Sequence, residues 1–118
     1  MSILFIFNRP PYDSTDVTWN GLRLANQLVE NGHKVRIFLM NDAVDMAREA
    51  CKPPVGYDQD LSNMLKDLIT KKVEVQVCGT CMARCGIFKN QPYFEGAKAS
   101  TMKVLAQWVS ESDKVLSF

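Results

Sequence analysis

The chain has 118 residues, a formal net charge of +1, 47% hydrophobic and 23% charged residues, and four cysteines. That length suits one domain with one core, so 1–118 is read as a single domain. The near-neutral balance, with Lys71-Lys72 the densest basic pair, excludes the concentrated basic face that a nucleic acid or an anionic membrane surface would require.

Ile3 to Phe7 is a continuous apolar run of branched and aromatic residues, the pattern of a strand covered on both faces. It is too short to span a bilayer and carries no basic leader or cleavage site. A cytoplasmic protein with no membrane segment is therefore expected. Asn8 to Asp13 is a loop, because Pro10 and Pro11 forbid ladder pairing and helix interior. Asp13, Ser14 or Thr15 then caps a helix over about 16–31, with Trp19, Leu22, Ala25 and Val29 on one stripe and Asn31-Gly32 as its stop. Val35 to Met40 is the second strand. Asn41-Asp42 offers an N-cap for a short helix through about Ala50, and 52–56 is a loop long enough for a lid or an interface.

Leu61, Met64, Leu65, Leu68 and Ile69 give the cleanest helical period in the chain, within 58–70. Val73 to Val77 alternates valine with Glu74 and Gln76, which predicts a third strand nearer the sheet edge than the first two. Gly86 to Gly96 is irregular around Pro92, with a short strand at Tyr93-Phe94, and a fifth strand has to come from 86–95. A last helix over about 97–110 is expected to turn Met102, Leu105, Ala106 and Val109 inward, before a strand at 115–118. Strands alternating with helices predict a three-layer α/β/α fold around a mainly parallel sheet of four to five strands.

Three of the four cysteines, Cys78, Cys81 and Cys85, fall within eight positions where the third strand runs out into Gly79. A thiol at the carboxyl end of a strand lies where open α/β sheets bind ligands. A helix starting after Gly79 would aim its first peptide N–H groups back at Cys78, an environment in which sulfur reacts as the thiolate. In a reducing compartment these cysteines are catalytic, redox or metal-binding candidates rather than a disulfide scaffold. Zinc or an iron–sulfur cluster wants four ligands, and here stand one C-x-x-C, a third cysteine four further on and no neighbouring histidine. Cys51 would supply a fourth ligand only if the 50–57 loop folded over the cluster, so no metal and no other cofactor is expected. A thioredoxin-like dithiol fits the local C-G-T-C run but lacks an identifiable cis-proline loop opposite it. A nucleophilic Cys78 with Cys81 as auxiliary or resolving thiol is the third reading. Cys51 and Cys85 also fit the ordinary role of small buried hydrophobes.

Topology brings further polar residues to the same edge. Asn8, Pro11 and Tyr12 follow the first strand, and Asn41 and Asp42 follow the second, which makes Asn8, Pro11, Tyr12 and Asp42 the substrate-binding candidates. Helix capping alone would account for Asn41 and Asp42, and loop packing for Tyr12. The loop 8–13 contains no glycine, so a phosphate-binding loop is not supported.

Several stretches together resemble the DsrE/DsrF-like family of small sulfur-relay proteins, in its YchN-like branch. They are Asn8 to Tyr12, Leu22-Arg23-Leu24-Ala25, Phe38 to Val44, Cys78-Gly79-Thr80-Cys81, Leu105 to Trp108 and Asp113 to Leu116. The resemblance implies a three-layer fold with a five-stranded parallel sheet, assembly as a homotrimer or hexamer, and donor and acceptor proteins as partners. It also implies that Cys78 carries sulfane sulfur as a persulfide, with Cys81 a feature of the branch. Asp13 stands where the family commonly has a glycine, and Cys85 stands outside the family pattern. The alternatives left beside a sulfur carrier are a non-catalytic binding or regulatory oligomer, and a redox or metal-binding module built on Cys78, Cys81 and Cys85.

Overall fold

Branched and aromatic side chains on both faces of two adjacent segments, Ile3 to Phe7 and Val35 to Leu39, build the centre of the molecule. In the computed structural model, which describes residues 1–84 and 92–118, these are strands β1 (Ser2–Phe7) and β2 (Lys34–Leu39). They are joined by β3 (Glu74–Cys78), β4 (Ala97–Ser100) and β5 (Lys114–Ser117) in one sheet of order β4-β3-β2-β1-β5. Every pairing is parallel. The fold is the expected three-layer α/β/α arrangement.

Helices α1 (Val17–Glu30) and α2 (Leu61–Thr70) make the crossovers from β1 to β2 and from β2 to β3. Because right-handed crossovers that step in one direction place their helices on one face, α1 and α2 share a side of the sheet. There Phe5, Phe7 and Phe118 stack with ring centroids 5.6–6.1 Å apart. Gly21 lets α1 approach those rings, since a Cβ at this position would sit 2.6 Å from the Phe7 ring. The last helix of the described chain (Met102–Glu111) returns from β4 to β5 across the opposite face. Trp108 meets Phe38 edge-on there, and the Arg36 guanidinium lies 4.5 Å over the Trp108 ring while reaching Glu111 at 3.2 Å.

Four expectations need correction. Residues 97–100 form strand β4 against β3, not the start of a helix, so the fifth strand lies beyond 86–95. The last helix turns Leu105 and Trp108 inward, leaving Met102 61% and Val109 41% exposed, and Ala106 exposed too. Strand β3 is paired on both sides and lies one strand in from the edge, nearer it than the central β2 but no nearer than β1. Asn41 caps no helix: Asn41–Ala47 is a 3-10 segment whose N-cap position, Met40, makes no side-chain cap bond. Tyr93 forms an isolated antiparallel bridge with Arg48. Cys85 and residues 86–91, expected from the sequence to be irregular, lie outside the described residues. Among the described residues no helix is long and apolar enough to cross a membrane.

Candidate functional site

Cys78 is the last residue of β3, paired across the sheet with Ser100 of β4. The chain turns at once into a short helix, α3 (Gly79–Arg84). Glycine eases the turn, because a Cβ on Gly79 would stand 3.1 Å from the Ser100 carbonyl oxygen, a tight contact. One turn along, the Cys81 N–H donates to Cys78 Sγ at 3.3 Å. Cys81 Sγ in turn accepts the Asn41 N–H at 3.2 Å. Both sulfurs therefore hold a peptide donor. Both are also well covered, Cys78 being 5% and Cys81 6% exposed. Arg84 ends α3 exposed.

Asn41 stands just past the end of β2 with φ of +53°, a left-handed conformation that asparagine tolerates better than most residues. Its side-chain amide donates to Asn8 Oδ1 at 3.1 Å. The Asn8 amide donates to Ser117 Oγ at 3.0 Å and to the Phe118 carbonyl at 3.3 Å. The ends of β5, β1, β2 and β3 are thus linked in one line that finishes at the two sulfurs. The sequence signal for this line is thin, since a backbone N–H carries no residue identity and only the asparagine hints at the left-handed turn.

The other candidates fall in two places. Asn8 lies in the line just described, with its amide engaged inside the chain, and Asp42 is half-buried in the first turn of the 3-10 segment. Pro11 is buried, and Tyr12 reaches the start of α2. Its hydroxyl accepts the Leu61 N–H at 3.0 Å, and its ring meets Tyr57 edge-on at 5.5 Å. Burial pushes the Tyr12 phenol up to about 12, outweighing the Leu61 N–H that favours its anion. Cys51 is buried near this second cluster, and desolvation pushes its thiol up as well. Asp13 accepts from the Thr15 N–H at 3.1 Å and the Thr15 hydroxyl at 2.6 Å. The left-handed residue of that turn is its neighbour Ser14, at φ of +67°. Among the described residues no three His, Cys, Asp or Glu side chains converge as a metal site.

A parallel α/β sheet with a strand-terminal cysteine, a second cysteine one helical turn on and a hydrogen-bonded strand-end frame defines the class: a small thiol protein of the doubly wound kind. The chain belongs to the DsrE/DsrF-like family, whose profile matches residues 1–118. It is 38% identical to protein YchN of Escherichia coli K12, with 98% of this chain and 97% of that protein covered. It is 32% identical to protein MJ0989 of Methanocaldococcus jannaschii, with both chains covered in full. The crystal structure of the E. coli ychN protein matches with a TM-score of 0.87 at 37% identity, over 100% of this chain and 99% of that one.

Proposed function

We propose that this protein is a sulfur carrier of the reducing cytoplasm, taking sulfane sulfur onto Cys78 and passing it to a partner. The observation that supports this reading is the Cys81 N–H aimed at Cys78 Sγ at the carboxyl end of β3, in a chain of the DsrE/DsrF-like family. A thiolate accepts such a bond better than a thiol does, and thiolate is the form that attacks. Cys78 thiolate attacks the outer sulfur of a donor persulfide. A bond forms from Cys78 Sγ to that sulfur, the donor S–S bond breaks, and the donor leaves as a thiolate while the proton stays on the transferred sulfur. No general base is needed. Asn8, Pro11, Tyr12 and Asp42 are proposed to shape the approach to this edge, and three or six copies of the chain to form the working assembly, which light scattering measures directly.

One observation favours a second reading. Buried cysteines are usually inert, and Cys78 is 5% exposed, as suits a binding or regulatory oligomer that keeps the fold without the relay. Incubation with inorganic polysulfide, followed by mass analysis, separates the two. The carrier gains about 32 Da, one sulfur atom, and Cys78→Ser loses that gain. If Cys78→Ser labels as well as wild type, the assignment of Cys78 falls; if no polysulfide or persulfide labels the folded protein at all, the binding reading stands instead.

A further inference from the structure

We propose that Asn41 is a positioning residue that holds Cys81 as a second sulfur station, so that sulfur on Cys78 moves to Cys81 before it leaves the protein. The inference rests on Cys78 being the entry point and adds what happens after entry. Its basis is the pair of donors: Asn41 N–H to Cys81 Sγ at 3.2 Å, and Cys81 N–H to Cys78 Sγ at 3.3 Å.

A persulfide on Cys78 has two fates when the Cys81 thiolate attacks. Attack on the inner sulfur forms a Cys78–Cys81 disulfide and expels hydrosulfide. Disulfide sulfurs are poor acceptors, so both N–H groups, one buried and one partly buried, would lose their partners at once. Attack on the outer sulfur avoids this. A bond forms from Cys81 Sγ to the sulfane sulfur, the bond from Cys78 Sγ to that sulfur breaks, and the electron pair stays on Cys78. The proton remains on the transferred sulfur, and no oxidant or reductant is consumed. Before the step the negative sulfur is Cys81, facing the Asn41 N–H; after it the negative sulfur is Cys78, facing the Cys81 N–H. At each stage the charge has a peptide donor. The arrangement therefore selects transfer over disulfide formation.

Asn41 is what keeps the first of these donors in place. Its left-handed φ of +53° turns the chain into the 3-10 segment while the preceding peptide N–H still faces Cys81. Such conformations cost energy and persist when neighbours hold them. Here the hold is the 3.1 Å bond from the Asn41 amide to Asn8 Oδ1, itself fixed to Ser117 and Phe118 at the end of β5. The asparagine performs no capping that would otherwise explain it.

The test is to load the whole protein with inorganic polysulfide, quench by alkylation and locate sulfur by fragment-ion mass spectrometry, because Val73 to Arg84 carries both cysteines without a tryptic site between them. Wild type is expected to show sulfur on Cys78 first and on Cys81 next. Valine is strongly disfavoured at positive φ, so Asn41→Val should lower the ratio of Cys81 to Cys78 persulfide at the first time points about tenfold or more, because the attacking Cys81 thiolate loses a hydrogen bond to its charge and transfer slows. Asn41→Gly, which accepts the left-handed turn and keeps the N–H but loses the amide that bonds Asn8 Oδ1, should give a ratio between those of Asn41→Val and wild type. Asn8→Ala, which removes the hold without touching the turn residue, should lower it in a protein that still folds. A further readout needs no sulfur: in a Cys78→Ser background, alkylation of Cys81 should move to higher pH in Asn41→Val. Sulfur confined to Cys78, release of hydrosulfide with a Cys78–Cys81 disulfide, or an unchanged ratio in Asn41→Val and Asn8→Ala overturns this proposal and leaves Cys78 as carrier. Sulfur on neither cysteine overturns the carrier reading and takes this one with it.

Discussion

Cys51 and Cys78 are buried to the same degree, 4% and 5% exposed, yet their sulfurs sit in different chemistry. Desolvation raises the Cys51 thiol, outweighing a hydrogen bond with Ser62 and the Arg48 charge that act the other way, while Asp45 and Asp60 add to the rise, and so it stays protonated at neutral pH. Cys78 and Cys81 each accept a peptide N–H instead. With access equally restricted, the sulfur held by an N–H donor should react first. Native protein treated with limiting iodoacetamide near neutral pH is expected to be modified at Cys78 or Cys81 before Cys51, and the order should vanish in denaturant. Cys51 reacting first in the folded state would contradict this account of the site. At this scale the sequence made Cys78 legible through a strand running into glycine and a family motif. Asn41 was legible as a polar residue at the same edge and as a cap, but not as a left-handed turn, since the residue types that cap helices are the ones that tolerate such turns. What separates the roles is the direction of a backbone N–H, which only the folded chain sets.

The helix α1 depends on one close approach. Gly21 is buried, and a methyl group there would meet the Phe7 ring at 2.6 Å and the Phe118 ring at 3.1 Å. Alanine gains up to about 1 kcal/mol in helix propensity over glycine, but overpacking a filled core costs about 1–3 kcal/mol. Phe7 is fully buried in a three-ring stack and has little room to yield. Gly21→Ala should therefore be destabilising on balance, by about 1 kcal/mol in urea unfolding, where an exposed helical glycine would show a gain. The same weighing explains which elements could be read in advance. Helix α2 was plain because Leu61, Leu65 and Leu68 are all buried on one stripe. Strand β4 was not, because Ala97-Lys98-Ala99-Ser100 has no branched or aromatic residue and owes its strand form to the register Val75↔Ala97 through Cys78↔Ser100. Met102 and Val109 read as inward because the apolar stripe of the last helix is wider than the single line, Leu105 and Trp108, that the sheet buries.

Across the whole molecule, stability should fall at alkaline pH, and the sign follows from its three tyrosines. Tyr12 is pushed up to about 12 chiefly by burial, and the Tyr57 and Tyr93 phenols are raised for the same first reason. Asp16, to which the Tyr57 hydroxyl donates at 3.3 Å, adds to the rise at Tyr57, and Asp45 adds to that at Tyr93. A tyrosine in the unfolded chain loses its proton near pH ~10. Above that the folded chain holds protons that the unfolded chain has released. The unfolded state then binds fewer protons, so the free energy of unfolding decreases as pH rises. The contribution is fully present below the unfolded value and is lost as pH climbs through about 12 for Tyr12. Cys51 adds a loss of the same sign that begins lower, above its ordinary value of 9.0. The urea midpoint should hold steady near neutral pH and then drop, with tyrosinate absorbance rising together with loss of native circular dichroism instead of ahead of it. Tyr12→Phe sharpens the test. It removes the acceptor of the Leu61 N–H and should cost about 1 kcal/mol at neutral pH, yet its alkaline loss should be shallower than that of wild type, because one of the raised phenols is gone. Three phenols titrating near their ordinary value in a chain that remains folded would refute the packing described around Tyr12, Tyr57 and Tyr93.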